Sequence, residues 1–310
     1  MNRQVYNQIL ELASEHAMRE RTAAYLTEQL RPIVGQGEPV LLCFHQREDG
    51  DLCSLMEQAV LACGGRPVPL GEDHRWKTIL RQAFTSRAVT VVGTPCVVLG
   101  LCKLKKAMSI PLYIRNVITA GYPCTDWMKD GIAQALDCRI FSTMGLFTSG
   151  VVAGFSCGHG IHLRTSEYEI QVLDPQGRPL PDGELGRWQL WPVGRPELSI
   201  CPGEYGRMDR SPCPCGRPGP RLVDRRHWDA GDRQLADMAE SLLSWTSILD
   251  FSLRRSRYGL ELEMVVFPGE KLPKLPACAR QVIRPWDPET DEPFPDVPVR
   301  KNIAEYPDYH

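Results

Sequence analysis

Ala88-Val-Thr-Val-Val-Gly-Thr-Pro-Cys-Val-Val-Leu-Gly-Leu-Cys102 is the longest apolar run of the chain, and its reading decides the fold class. Thr90, Gly93, Thr94, Pro95 and Gly100 interrupt it, so it is too short and too broken to span a bilayer. It reads instead as a strand from Val89 to Val92, a Gly93-Thr94-Pro95 turn and a helix from Pro95 to Met108. The alternation continues on both sides. Upstream lie an apolar strand from Pro39 to Phe44, a helix from Leu52 to Ala62, a strand from Arg66 to Leu70 and a helix from Trp76 to Ser86. Downstream follow a strand from Val117 to Ala120, a helix from Cys124 to Leu136 and a strand from Arg139 to Ser142. Before all of these, Val5, Ile9, Leu12, Ala13, Ala23, Leu26, Leu30 and Ile33 recur at helical spacing. Alternating apolar strands and helices predict an α/β fold, with a mostly parallel sheet covered by helices on both faces. Such sheets gather ligands at the carboxyl ends of their strands. Those ends fall at Gly93-Thr94-Pro95, Ala120-Gly121-Tyr122-Pro123 and Met144-Gly145-Leu146.

The pattern changes after residue 150. From Ile161 to Val223, short alternating segments are separated by turns such as Asp174-Pro-Gln-Gly177 and Pro181-Asp-Gly183, which predicts a small antiparallel β-barrel or bent sheet. Residues 224–232 are charged and poor in apolar groups, as a linker would be. Beyond them stand a helix from Gln234 to Ser244, strands from Leu249 to Leu253 and from Leu260 to Val266, and a Pro-rich extended tail. The expected division is an α/β unit over 1–150, a β-barrel-like unit over 151–223 and a small α+β C-terminal domain over 224–310.

The 310 residues hold 36 Lys plus Arg against 38 Asp plus Glu, a net charge of 36 − 38 = −2. That balance offers no general field for nucleic acid or an acidic membrane. The opening Met1-Asn2-Arg3-Gln4 leads into a charged amphipathic segment without signal-peptide character, so a cytoplasmic location is expected. Twelve cysteines are scattered along the chain, and Cys43, Cys63, Cys96, Cys102 and Cys138 sit in apolar company, as buried free thiols do in a reducing compartment.

One group of cysteines differs. Cys157-Gly-His159-Gly-Ile-His162 and Cys213-Pro-Cys215-Gly216 combine thiols and imidazoles with Gly and Pro that let the backbone fold tightly. Zinc takes four such ligands in a tetrahedron, commonly three Cys and one His in a structural site. Two unrelated Cys-containing loops with surface histidines are the bland alternative. His159 and His162 compete for the fourth place. His162 is preferred because it sits where a strand begins, between Ile161 and Leu163.

Ala120-Gly-Tyr-Pro123, Met144-Gly-Leu146, Cys157, Ile161-His-Leu163, Val172-Leu-Asp-Pro-Gln-Gly-Arg-Pro-Leu-Pro-Asp-Gly-Glu-Leu-Gly186 and Cys213-Pro-Cys-Gly-Arg-Pro-Gly-Pro-Arg221 follow one another in an order that resembles a known family. It is the phenylacetate–coenzyme A ligase branch of the adenylate-forming enzymes, and the resemblance covers roughly residues 11–265. It implies acid–thiol ligase chemistry that converts ATP to AMP and pyrophosphate, with Mg(II) and CoA. It also implies a dimer, and a structural zinc on Cys157, His162, Cys213 and Cys215, as in some members. Gly121, Tyr122, Pro123, Met144, Gly145, Thr148 and Glu204 would line the nucleotide pocket.

The departures carry their own expectation. The family's Ser/Thr/Gly-rich phosphate loop has no counterpart in the chain. Its magnesium-binding Glu is Thr148, a far poorer ligand for a hard cation. The Asp of its Thr-Gly-Asp motif is Glu204, the Glu of its Gly-Ala-Glu-Pro motif is Tyr122, and the only late lysine in place of its catalytic one is Lys301, without the neighbouring glycine. The expected function is therefore a ligase-like protein impaired in adenylation, or dependent on a partner that covers a bared apolar face of the sheet. The alternative is a non-catalytic, zinc-stabilised scaffold for a nucleotide, an acyl group or a protein. A third reading, with Cys96, Cys124 or His45 as nucleophile or base, has no local motif behind it.

Overall fold

The computed structural model describes residues 16–44, 50–121, 123–146, 151–201, 204–226, 233–256, 259–272, 274 and 280–294. Its first half is the expected alternation: α1 (His16–Leu30), β1 (Pro39–Cys43), α2 (Gly50–Ala62), β2 (Arg66–Pro69), α3 (Trp76–Thr85), β3 (Thr90–Gly93), α4 (Pro95–Ala107), β4 (Asn116–Thr119), α5 (Asp126–Leu136) and β5 (Arg139–Leu146). These five strands run parallel in the order β2-β1-β3-β4-β5. Alternate strand residues point to opposite faces. Val40, Leu42, Val92 and Ile118 meet α1 and α2, whereas Leu41, Cys43, Val91 and Val117 meet α3, α4 and α5. Helix α4 begins where Pro95 follows the Thr94 cap, whose hydroxyl accepts from the Val97 amide at 3.4 Å. Thr125 caps α5 in the same way, through Met128.

Strand β5 does not stop at the sheet's rim. The Met144-Gly-Leu146 segment, expected as a strand-end loop, belongs to β5 and pairs antiparallel with β6 (Val151–Ser156), with a register shift between Met144 and Gly145. Gly145 suits this place because a Cβ there would meet the Val151 carbonyl oxygen at 1.9 Å. From β6 the sheet continues through β7 (Ile161–Leu163), β11 (Arg221–Arg226), β10 (Tyr205–Asp209), β9 (Leu185–Pro192) and β8 (Tyr168–Leu173), making eleven strands in one hydrogen-bonded order. The antiparallel half encloses its own core of Ala153, Ile161, Trp188, Leu190, Met208 and Leu222. Among the described pairings its outer strand β8 does not return to β5, so it is an open sheet that continues the parallel one.

The C-terminal segment contains α6 (Arg233–Ser244), β12 (Ile248–Ser256), β13 (Gly259–Val266) and β14 (Arg280–Pro285). Strand β14, within the tail read as merely extended, pairs parallel with β13. This three-stranded sheet packs on the outer side of α3, α4 and α5. Ala239, Leu242, Ile248, Phe251, Leu262 and Met264 share one continuous core with Trp76, Ile79, Val98, Leu101 and Ile132. Polar links reinforce it: Trp76 N donates to Asp291 O at 2.9 Å, and Lys103 Nζ to Ile248 O at 2.7 Å. The helices are thus held between two sheets.

Burial pulls the Lys103 ammonium down to about 8, against the opposing pull of Asp250, Cys96 and Cys102. Its folded value lies below its unfolded one. Between about pH 8 and 10.5 the unfolded chain therefore binds more protons, and stability rises with pH. Below pH 8 the cost of the buried charge is constant. Relative to Lys103→Met, the wild type should gain about 2 kcal/mol between pH 8 and 9.5. Denaturant midpoints of both proteins across that range test this, and a flat difference counts against it.

Candidate functional site

The antiparallel pairing of β7 with β11 assembles the cysteines. His162 lies opposite Arg221 in that register and opposite Phe155 in β6. The β6–β7 turn, which carries Cys157, and the β10–β11 loop, which carries Cys213 and Cys215, therefore come together. In the first turn Cys157 N donates to Gly160 O at 3.2 Å, and Gly158 and Gly160 take φ of +88° and +122°. A Cβ on Gly160 would lie 2.6 Å from a Val223 methyl. In the second turn Gly216 N donates to Cys213 O at 2.9 Å, with Gly216 at φ +79°.

The ligand atoms of Cys157, His162, Cys213 and Cys215 all lie within 4.8 Å of one another. Cys157 Sγ is 3.5 Å from Cys213 Sγ, and Cys215 Sγ is 3.2 Å from His162 Nε2. A tetrahedral ion with bonds of about 2.3 Å to sulfur and about 2.0 Å to nitrogen separates its ligands by roughly 3.5–3.8 Å. The observed spacings straddle that range, so the four groups can hold a metal ion. Burial, followed by the Arg217 cation, lowers the His162 pKa, while the Pro218 carbonyl opposes them; the balance favours the neutral imidazole that ligates metals. Burial pushes the Cys157 thiol up to about 11. At Cys215 burial also acts upward, but the Arg217 amide, contacts with Cys213 and Cys157, and the Arg217 guanidinium together draw its pKa below the ordinary value.

The two histidines lie in different surroundings. His162 is buried within the cluster, whereas His159 is exposed and lines a neighbouring cavity. His162→Ala should abolish stoichiometric metal binding, and His159→Ala should leave it within about twofold. Metal analysis of the purified variants checks both.

That cavity, about 560 Å³, lies between the first turn of α5, the Gly158–Ile161 turn, β11 and α6. Its size suits a small molecule. Cys124, Ser142, Ser156 and Arg225 are among its walls. The residues predicted to bind nucleotide are distributed differently. Gly121 turns after β4 at φ +90°, Pro123 is buried, and Met144 is fully buried in the antiparallel core. Gly145 is half-buried beside β6. Tyr122, Thr148, His45 and Lys301 lie outside the described residues. Glu204 forms an ion pair with Arg225 at 2.8 Å, with each side chain only 8% exposed. Arg225 also donates to Thr143 O at 3.4 Å. Sequence reasoning missed this arginine, since nothing in Arg225-Arg226 separates a buried cation from a solvated one. Burial pushes the Cys124 thiol up to about 12 and Cys96 higher still, which removes both as ready nucleophiles.

No helix among the described residues is long and apolar enough to cross a membrane. No protein-family model and no curated protein matches the chain. Solved structures match it in fold. A 2-hydroxyisobutyryl-CoA ligase in the postadenylation state, in complex with R3-HIB-AMP, aligns with a TM-score of 0.64 and 13% identity over 90% of this chain and 68% of that one. A benzoate CoA ligase from Burkholderia xenovorans aligns at 0.55 and 13%, covering 85% of this chain and 62% of its own. The amide bond synthetase McbA from Marinactinospora thermotolerans aligns at 0.53 and 15%, again over 85% and 62%. The chain thus spans 62–68% of the length of these three proteins. At such identities the likeness is one of architecture: the chain has the fold of the adenylate-forming CoA ligases.

Proposed function

We propose that the protein is a phenylacetate–CoA ligase-like member of the adenylate-forming enzymes, stabilised by a structural zinc and impaired in adenylation. The observation that carries the reading is the convergence of Cys157, His162, Cys213 and Cys215 on this fold, at the motif positions that mark the branch in the sequence. Three thiols and one imidazole suit zinc better than magnesium or calcium, which prefer oxygen. A set of four protein ligands leaves no open position, which supports a structural role. Zinc there would tie the two hairpins together.

By the family resemblance a nucleotide or acyl ligand, with AMP, ATP and CoA as candidates, would meet Gly121 and Glu204, neither of which lines the 560 Å³ cavity. The Glu204–Arg225 pair supports impairment. Oε2 of this carboxylate already accepts from a buried guanidinium, so a ribose hydroxyl would compete for what is left of a side chain only 8% exposed. Thr148 in place of a carboxylate supports it further, because clamps on the transferring group supply much of such catalysis. The same pair favours the second reading, a non-catalytic scaffold that binds a small molecule or a protein. Calorimetric titration with ATP, AMP and CoA, together with ATP–pyrophosphate exchange over a panel of aryl and fatty acids, tests both. Exchange at rates ordinary for a CoA ligase overturns impairment. Binding without exchange supports it, and no binding leaves the scaffold reading.

A further inference from the structure

The metal ligands account for only part of the chemistry around them. Arg221 stands opposite His162 in the β7–β11 register, and its side chain is 5% exposed. Its guanidinium reaches both halves of the cluster. Nη1 donates to the His159 carbonyl at 3.0 Å and to Cys213 Sγ at 3.5 Å. Nη2 donates to Asp209 Oδ2 at 2.5 Å and to Ser211 Oγ at 3.1 Å. One planar group therefore pins the turn between Cys157 and His162 to the loop that holds Cys213 and Cys215. A divalent ion with three thiolates and a neutral imidazole carries one net negative charge. On the buried side of the cluster, where His162 and Cys213 lie, such a charge calls for a counter-ion, and the guanidinium already touches the Cys213 sulfur.

We propose that Arg221 is the positioning residue of the metal centre: it fastens the two ligand-bearing hairpins to each other and donates to the sulfur of Cys213. The inference rests on the zinc reading above. Arginine is suited to this role because its fixed fork serves several acceptors at once, which a lysine ammonium cannot reproduce. The pinned turn, Gly158 to Ile161, is also a wall of the 560 Å³ cavity, so the same contact holds that wall in place.

The test uses the full chain, stripped with a chelator and titrated with zinc against a chromophoric competitor, then with Co(II). Arg221→Met should weaken zinc by roughly 10–100-fold. It should also shift the thiolate-to-cobalt charge-transfer band, because the Cys213 sulfur loses a donor. Arg221→Lys should restore only part of the affinity. Ser211→Ala, which leaves Nη1 in place, should keep the wild-type band. Equal zinc affinity and superimposable cobalt spectra in wild type and Arg221→Met would overturn the assignment. If Arg221→Met does not fold, Asp209→Asn replaces it. That variant loosens Nη2 and should weaken zinc several-fold, and unchanged affinity would again be fatal. A wild-type chain that takes up neither zinc nor cobalt refutes the metal reading itself, a result distinct from both.

Discussion

On the zinc reading proposed above, Cys213→Ser is expected to eliminate stoichiometric zinc and to lower the Tm by about 10 °C. Beyond the hydrogen bonds of Arg221 and Arg217, the loops that bear the ligands have little apolar packing to hold them. Arg210 to Pro220 is rich in Pro and Gly, and only Cys213 within it is buried. The turn after Cys157 is Gly158-His159-Gly160, with Gly158 and His159 exposed. When ligands are scarce in the unfolded chain, metal-binding free energy becomes folding free energy. Loss of a structural metal belongs among the few changes that cost more than about 4 kcal/mol, and in a chain of this size each kcal/mol moves the Tm by about 2 °C. Serine is nearly isosteric with cysteine, so a large effect cannot be assigned to packing. Scanning calorimetry with metal analysis decides the matter. An unchanged Tm and unchanged zinc content would remove Cys213 from the ligand set.

The second large effect concerns the seam between the two sheets. Trp76 is fully buried between α4 and the C-terminal sheet, and its ring occupies the space above Gly100, where a Cβ would come within 2.1 Å of it. Trp76→Ala should cost about 3–5 kcal/mol. Gly100→Ala should cost about 1–3 kcal/mol in the wild type, because the new methyl has nowhere to go. In the Trp76→Ala background the same methyl enters the vacated space, so its cost should vanish or reverse. A double-mutant cycle in denaturant reads this coupling. Because the core is continuous from β3 through Trp76 to Phe251 and Met264, Trp76→Ala should also speed amide exchange in β12 and β13. Two separate unfolding transitions, or unaltered exchange in β12, would show the C-terminal sheet to be an independent domain.

The alternating apolar runs around Ala88–Cys102 were sufficient to read the parallel sheet, because buried strands and amphipathic helices carry period and length in the local sequence. The two cysteine motifs were legible for a similar reason, since thiols and imidazoles beside Gly and Pro that let the backbone turn tightly mark themselves out in a short stretch of sequence. Local pattern did not reveal that β5 runs on through Met144 to pair with β6, because a strand that leaves one sheet for another keeps the same side-chain period. Nor did it show that β14 lies within the Pro-rich tail. The sequence by itself determined which segments are strands and helices in the first half and which residues can ligate a metal. The tertiary structure alone decided that His162 rather than His159 faces the thiols, that Glu204 is engaged by Arg225, and that the C-terminal sheet covers α3, α4 and α5. All three rest on contacts between residues at least 21 positions apart, or on choices made by strand register, and neither is encoded in any short window of the chain.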